Sequence, residues 1–282
     1  MIIIKKAKDL KKLLLKHKES KKTVGFVPTM GALHQGHLSL INQCNETASL
    51  SVCSIFVNPT QFNNPEDLMK YPKTIESDIL LLEQGGCDIL FLPDEQEIYP
   101  DEKSKQKEYD LDYLENILEG KFRPGHFQGV CLVMERLLNI VDPDFLFLGQ
   151  KDFQQCLVIE RLVDLMNKDI TIVICPIVRE PSGLAMSSRN LRLNPSDRKL
   201  ASMLYQTLDS IKTNLNYHNF QRLRQQAILE LGSKGFKVEY LELAKRNNLE
   251  IIENVNDGKE LVLLIAAFLN GIRLIDNVII NI

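Results

Sequence analysis

The stretch FVPTMGALHQGH, Phe26 to His37, decides how the rest of the chain is read. It continues a short apolar run over 24–27 with the composition of a buried strand, after which Pro28 and Gly31 interrupt regular structure. Beyond Gly36 the apolar residues Leu38, Ile41, Cys44 and Ala48 recur at the spacing of one helix face. His34 and His37 therefore fall in a strand-to-helix turn, at a helix N-terminus. The first N–H groups of a helix lack internal partners and carry partial positive charge, so an anion is held there. Two imidazoles add donors, and Gly36 leaves room for a phosphate to approach the backbone. A plainer role fits the same residues: two side chains that cap the helix start.

Working outward, strands and helices alternate. Residues 2–4 read as a first strand. The helix after it carries lysines that interleave with Leu10, Leu13 and Leu14, which is either a solvated face or a binding patch. Apolar runs over 50–57, 88–92, 145–148 and 171–174 read as buried strands, and 74–84, 128–141 and 152–167 as helices. Such alternation implies right-handed crossovers and a parallel sheet. After Pro176 the texture changes to a turn-rich loop, helical stretches over 196–216 and 220–231, and strands over 238–243, 261–269 and 272–280. The expected fold is α/β, a doubly wound parallel-sheet (Rossmann-like) domain over 1–177 with a smaller C-terminal α+β domain over 178–282. Ligands of such sheets lie at the carboxyl ends of the strands.

Composition narrows the function classes. The 282 residues are 44% hydrophobic and 25% charged, which is ordinary globular material. The 34 basic and 37 acidic residues leave −3, so no global field points to nucleic acid or an anionic membrane. The longest apolar run, 261–269, falls short of the roughly 18 residues needed to span a bilayer. Met1 to Ile4 is too short for the apolar core of a signal peptide, so a cytoplasmic location is expected. The six cysteines (Cys44, Cys53, Cys87, Cys131, Cys156, Cys175) form no Cys-x-x-Cys pair and read as reduced core residues.

Neither a G-x-x-x-x-G-K-[ST] loop nor a G-x-G-x-x-G after a strand is present, so any nucleotide phosphate must be held otherwise. Three strand-end loops are expected to converge on one cleft. The first is the histidine turn. The second is Gly149-Gln150-Lys151-Asp152, where a lysine at a helix start opposes the helix dipole unless an anion offsets it, and Asp152 suits an N-cap or a ribose hydroxyl. The third is Met186-Ser187-Ser188-Arg189-Asn190, a solvated turn or a phosphate clamp of two hydroxyls and a guanidinium. Arg123 and His126 sit on a Pro/Gly loop ahead of a helix. Gln61 and Gln155 are amides suited to a hydroxyl or carboxylate. No Gly-x-Ser-x-Gly elbow supplies a nucleophile.

Six motifs occur in one order: PTMGALHQGH, FVNPTQF, YPKT, RPGHFQGV, GQKDFQQ and MSSRN, between residues 28 and 190. Together they resemble the pantothenate synthetases, within the His-x-Gly-His nucleotidyltransferase superfamily. The resemblance implies an ATP-dependent ligase that adenylates pantoate and passes the pantoyl group to β-alanine, releasing AMP and pyrophosphate. It implies ATP contacts at Met30, Gly31, Ala32, Leu33, His34, Gln35, Gly36 and His37, at Gly149, Gln150, Lys151 and Asp152, and at Val178, Met186, Ser187, Ser188 and Arg189. Pantoate contacts map to Gln61 and Gln155, and His37 corresponds to the family's proton donor. His34, His37, Lys151, Arg189 and Mg2+ would neutralise charge on the reacting phosphates. Ser77 stands where relatives usually carry an acid; Asp78 can still reach a magnesium ion, but the departure weakens the metal assignment and leaves the metal ligands open. A homodimer is implied, with neither nucleic acid nor membrane as partner.

Overall fold

The computed structural model describes residues 1–216, 218–255 and 260–281. The chain runs β1 (Ile2–Ile4), α1 (Ala7–Glu19), β2 (Val24–Thr29), α2 (Gln35–Thr47), β3 (Leu50–Ile55), α3 (Pro65–Met69), α4 (Ile75–Gln84), β4 (Ile89–Phe91), α5 (Glu95–Ile98), α6 (Leu118–Phe122), α7 (His126–Val141), β5 (Phe145–Gly149), α8 (Phe153–Leu165) and β6 (Thr171–Cys175). It continues through α9 (Pro195–Ala201), α10 (Met203–Asn214), α11 (Phe220–Ser233), β7 (Phe236–Lys245), β8 (Glu260–Leu269) and β9 (Ile272–Asn281). Contacts divide the chain into two compact units: Met1–Gln150 with Val158–Pro176, and Lys151–Leu157 with the chain from Ile177 on.

In the first unit six parallel strands lie in the order β1-β4-β3-β2-β5-β6, flanked by helices, which is the Rossmann-like sheet the alternating pattern implied. From β2 the chain steps one way to β3 and β4, then returns to place β5 on the other side of β2. The strand order therefore reverses between β2 and β5, the place where open α/β sheets bind ligands. The histidine turn follows β2, and Gly149 ends β5 with Gln150 opening the 3-10 turn that follows. Phe26, Val27, Val52, Cys53 and Phe147 are fully buried here, as expected of strands covered on both faces.

The second unit is a three-stranded antiparallel sheet, β7-β8-β9, with α10 and α11 against it. Leu204, Leu208, Leu231, Leu241, Leu263 and Ile265 lie in its core. Two local expectations change. The single helix over 196–216 is two, α9 and α10, broken at Ser202. A short helix, α3, lies inside the loop after β3, started by Pro65 and capped by Asn64, whose side chain accepts from the Glu66 N–H. The lysine-rich α1 buries Leu10 and Leu14 and keeps most of its lysines exposed, the solvated-face alternative.

What shapes the turn after β2 is a carboxylate from α4. Gly31 and Ala32 are consecutive left-handed residues, with φ of 78° and 49°. That curl turns the N–H groups of Ala32 and Leu33 onto Asp78, which accepts them at Oδ2 (2.9 Å) and Oδ1 (2.8 Å); Oδ1 also accepts the Thr74 hydroxyl at 3.0 Å. Ala32 in this region costs on the order of 1–2 kcal/mol, which charge-assisted bonds offset. A Cβ on Gly31 would lie 3.0 Å from Asp78 Oδ2 and 3.1 Å from Ile55, so the positive φ favours glycine and the space for a side chain is tight.

All six cysteines are buried free thiols. Burial is the main cause that pushes Cys44 up to about 12, Cys87 to about 11 and Cys131 to about 12, and Cys53 well above its ordinary value. Thiolate, the reactive form, is thus scarce at neutral pH. A disulfide-exchange reagent at pH 8 should titrate fewer than one thiol per native chain and six after denaturation; fast native reaction would place a thiol at the surface. Asp78→Asn, which keeps shape but turns an amide N–H2 toward backbone donors, should destabilise the first unit by about 2–4 kcal/mol in denaturant unfolding. An unchanged midpoint would mean that the turn is held by other contacts.

Candidate active site

His34 and His37 cap α2 reciprocally. His34, in extended backbone (φ −146°), accepts the Gly36 N–H at its Nδ1 (3.2 Å), and His37 Nδ1 accepts the His34 N–H (3.3 Å). The rings lie 4.1 Å apart, tilted by 42°. A ring nitrogen that accepts is unprotonated, so each neutral imidazole carries its proton on Nε2. The two sequence readings of this turn, helix cap and anion donor, are thereby compatible: Nδ1 serves the helix, and Nε2 carries the N–H that the second reading needs. The N-terminus of α2 adds its dipole at the same place.

Gln61 is held by a buried network that sequence reasoning missed. Its Oε1 accepts from Asn58 Nδ2 (3.1 Å), and its Nε2 lies 3.1 Å from Met30 Sδ, beside the histidine turn. Asn58, 1% exposed, also donates to the Gly129 carbonyl (3.0 Å), while its Oδ1 accepts from Tyr99 (2.8 Å) and from Thr60 Oγ1 (2.9 Å). Burial pushes the Tyr99 phenol up to about 12, so it remains a neutral donor. A Cβ on Gly129 would come within 2.2 Å of the Thr60 carbonyl; glycine lets α7 pack directly on this turn. His126 supports it from α7. Arg123 donates to His126 Nε2 (2.9 Å), so Nδ1 is the protonated nitrogen and donates to the Gln61 carbonyl at 2.8 Å. Arg123 also pairs with Glu119 at 3.7 Å. Arg123 and His126 are thus second-layer supports of Gln61. The sequence signal for Asn58 was the Asn-Pro pair ending a strand.

Gly149 and Gln150 belong to the first unit, and the second carries the expected residues from Lys151 to Gln155 and from Val178 to Arg189. Lys151 and Asp152 lie in a one-turn 3-10 segment before α8, with Lys151 Nζ 3.7 Å from the Asp152 carboxylate, and Gln155 is half-buried in the first turn of α8. The segment 178–186 folds back on itself: Met186 N–H donates to the Val178 carbonyl (3.0 Å) and Arg179 bridges to Ala185. Ser187 caps the next 3-10 turn by accepting from the Arg189 N–H at 3.3 Å, and Ser188 and Asn190 are buried. Asn190 Nδ2 donates to Glu180 (3.0 Å) and to the Ala185 carbonyl (3.1 Å), and Arg198 grips Glu180 through two nitrogens. The MSSRN loop is therefore a built structure, not a plain solvated turn.

Asp78, 1% exposed, accepts the Ala32 and Leu33 N–H groups and the Thr74 hydroxyl with its two oxygens. Among the described residues no group of three or more His, Cys, Asp or Glu is placed to hold a metal. The donor set does not fit a protein-made magnesium cage; Mg2+ commonly keeps several waters and binds through substrate phosphates. Among the described residues no helix is long and apolar enough to cross a membrane.

Comparison with known proteins converges on one family. The sequence model of the pantoate-beta-alanine ligases matches residues 2–279. The chain is 44% identical over 280 residues to a pantothenate synthetase of Azobacteroides pseudotrichonymphae, covering 99% of each, and 45% identical over 283 residues to that of Cytophaga hutchinsonii, again covering 99% of each. The fold superposes on the crystal structure of pantothenate synthetase from Thermus thermophilus with a TM-score of 0.90, 35% identity and 99% of each chain covered. It superposes on the Francisella tularensis pantoate-beta-alanine ligase, solved with beta-gamma ATP and beta-alanine, with a TM-score of 0.82 and 38% identity, covering 99% of this chain and 97% of that one. A strand-to-helix turn with two reciprocally capping histidines, on a sheet of this order, with relatives matched from end to end, leaves one assignment: the chain belongs to the pantoate–β-alanine ligase family.

Proposed function

We propose that this enzyme joins pantoate to β-alanine in two steps through a pantoyl adenylate formed from ATP. A pantoate carboxylate oxygen attacks the α-phosphorus and the bond to the β-phosphate breaks, so pyrophosphate leaves. The free amine of β-alanine then attacks the acyl carbon, the acyl–phosphate bond breaks, AMP leaves with the bonding electron pair, and the nitrogen releases one proton to solvent as the amide forms. Neither step needs a protein nucleophile; both need charge neutralised and a water-free mixed anhydride. The observation that carries the reading is the reciprocal histidine cap, which fixes both rings with Nε2–H as donor.

In this reading His34 and His37 neutralise the reacting phosphate, His37 being the proton donor, and Lys151 and Arg189 act on the triphosphate. ATP is held by Met30, Gly31, Ala32, Leu33, Gln35 and Gly36 of the turn, by Gly149, Gln150 and Asp152, and by Val178, Met186, Ser187 and Ser188. Gln61 and Gln155 hold pantoate through their amides. Magnesium would arrive on the nucleotide's phosphates and add charge neutralisation there. Residues 1–177 form the nucleotide- and pantoate-binding part and 178–282 the smaller lid. The family resemblance supports a cytoplasmic homodimer.

Incubation with ATP, Mg2+ and pantoate, with and without β-alanine, tests this directly: AMP should accumulate catalytically only when both acid and amine are present. An adenylated product without amine-dependent AMP would instead mark an adenylyltransferase. His37→Ala should lower turnover by about a hundredfold or more, the scale for losing one such donor; a change within about threefold would remove its catalytic role. Gln61→Ala should raise the KM for pantoate and leave that for ATP in place, and equal losses for both would contradict its assignment.

A further inference from the structure

β9 is an apolar strand, RLIDNVII, interrupted by two adjacent polar residues, Asp276 and Asn277, which are 3% and 1% exposed. Buried polar side chains cost free energy unless they are used. Both are used on segments outside the sheet. Asp276 takes Arg179 in a two-point grip, with NH1 at 2.6 Å and NH2 at 2.9 Å. The same guanidinium donates to the Asn277 carbonyl (3.3 Å) and the Gly183 carbonyl (3.1 Å) and stacks 3.8 Å above the Tyr205 ring. Asp276 Oδ1 also accepts the Asn277 N–H at 2.7 Å. Because β9 is an edge of its sheet, these contacts also satisfy outward backbone groups that an edge strand leaves open.

The second polar side chain reaches elsewhere. Asn277 Nδ2 donates to the Lys151 carbonyl at 3.0 Å, across 126 residues of sequence. Two neighbouring residues of one strand thus fasten two separate segments, the 178–186 fold-back through Arg179 and the Lys151 turn through its backbone.

We propose that Asn277 is a positioning residue for Lys151, and that the Asp276–Asn277 pair sets the spacing between Lys151 and the Val178–Met186 loop on which triphosphate binding depends. This rests on the reading above, in which Lys151 and the 186–189 loop act on ATP. Asn277 does not touch substrate; its amide fixes where the Lys151 backbone stands, and the ammonium follows. A displacement of about 1 Å is enough to cost up to a hundredfold in rate.

The test is a double-mutant cycle on the full-length enzyme, reading pantoate-dependent pyrophosphate release, with Asn277→Leu, which keeps volume but loses the donor, Lys151→Ala, and both together. Asn277→Leu should lower kcat about tenfold with the pantoate KM unchanged, and should add no more than about twofold in the Lys151→Ala background. If Asn277→Leu does not fold, Asn277→Ala takes its place under the same criteria. Losses that multiply, or an Asn277 variant as active as the parent, would overturn the positioning role while leaving that of Lys151 intact. A fully active Lys151→Ala enzyme would overturn the reading of Lys151 and the proposal with it.

Discussion

The Asp78 carboxylate, closed off from water, takes two consecutive backbone N–H groups and one hydroxyl, and the histidine turn has its shape because of that grip. Left-handed backbone at Gly31 and Ala32 reverses the chain sharply after β2, and only then does His34 stand in extended backbone at the cap of α2. Each histidine next spends Nδ1 on a backbone donor, which leaves one tautomer. The chemistry assigned to the turn is in this sense a consequence of a carboxylate on α4, more than forty residues further along the chain. A buried charge of this kind is tolerable because it is fully hydrogen-bonded, and removal of any one member exposes the others to an unmet desolvation cost.

The same economy recurs around Gln61 and at β9. Asn58 is saturated by Tyr99, Thr60, Gln61 and the Gly129 carbonyl, so the Gln61 amide has one orientation. His126 fixes the Gln61 backbone from the other side. In the second unit Arg179, Asp276 and Tyr205 form a stacked, charge-paired cluster under the loop that carries Met186 to Arg189. The residues proposed to act on substrate are in each case carried by buried polar residues, a layered arrangement that limits loss of geometry.

Much of this was legible in the sequence. Strand and helix alternation through Cys175 implied the parallel sheet, and the runs at 238–243, 261–269 and 272–280 marked the strands of the small second sheet, because period and composition are local properties. The helix start at His34 was legible from the spacing after Gly36. What was not legible was long-range pairing: nothing local says that Asp78 belongs to the turn at 31–33, or Asn277 to Lys151. The family resemblance left Asp78 able to reach a magnesium ion; its bonds to the Ala32 and Leu33 N–H groups join segments more than forty residues apart, and only the fold shows them. Asp276 and Asn277 had a signal, two polar residues inside an apolar strand. That signal reveals burial with a purpose but not its partner.

The central claim is that a rigid histidine turn activates ATP toward a carboxylate before any amine is involved. Exchange of labelled pyrophosphate into ATP measures that half-reaction alone. It should require pantoate and proceed without β-alanine. Exchange that runs without pantoate, or that appears only when β-alanine is added, would contradict a two-step reaction centred on this turn.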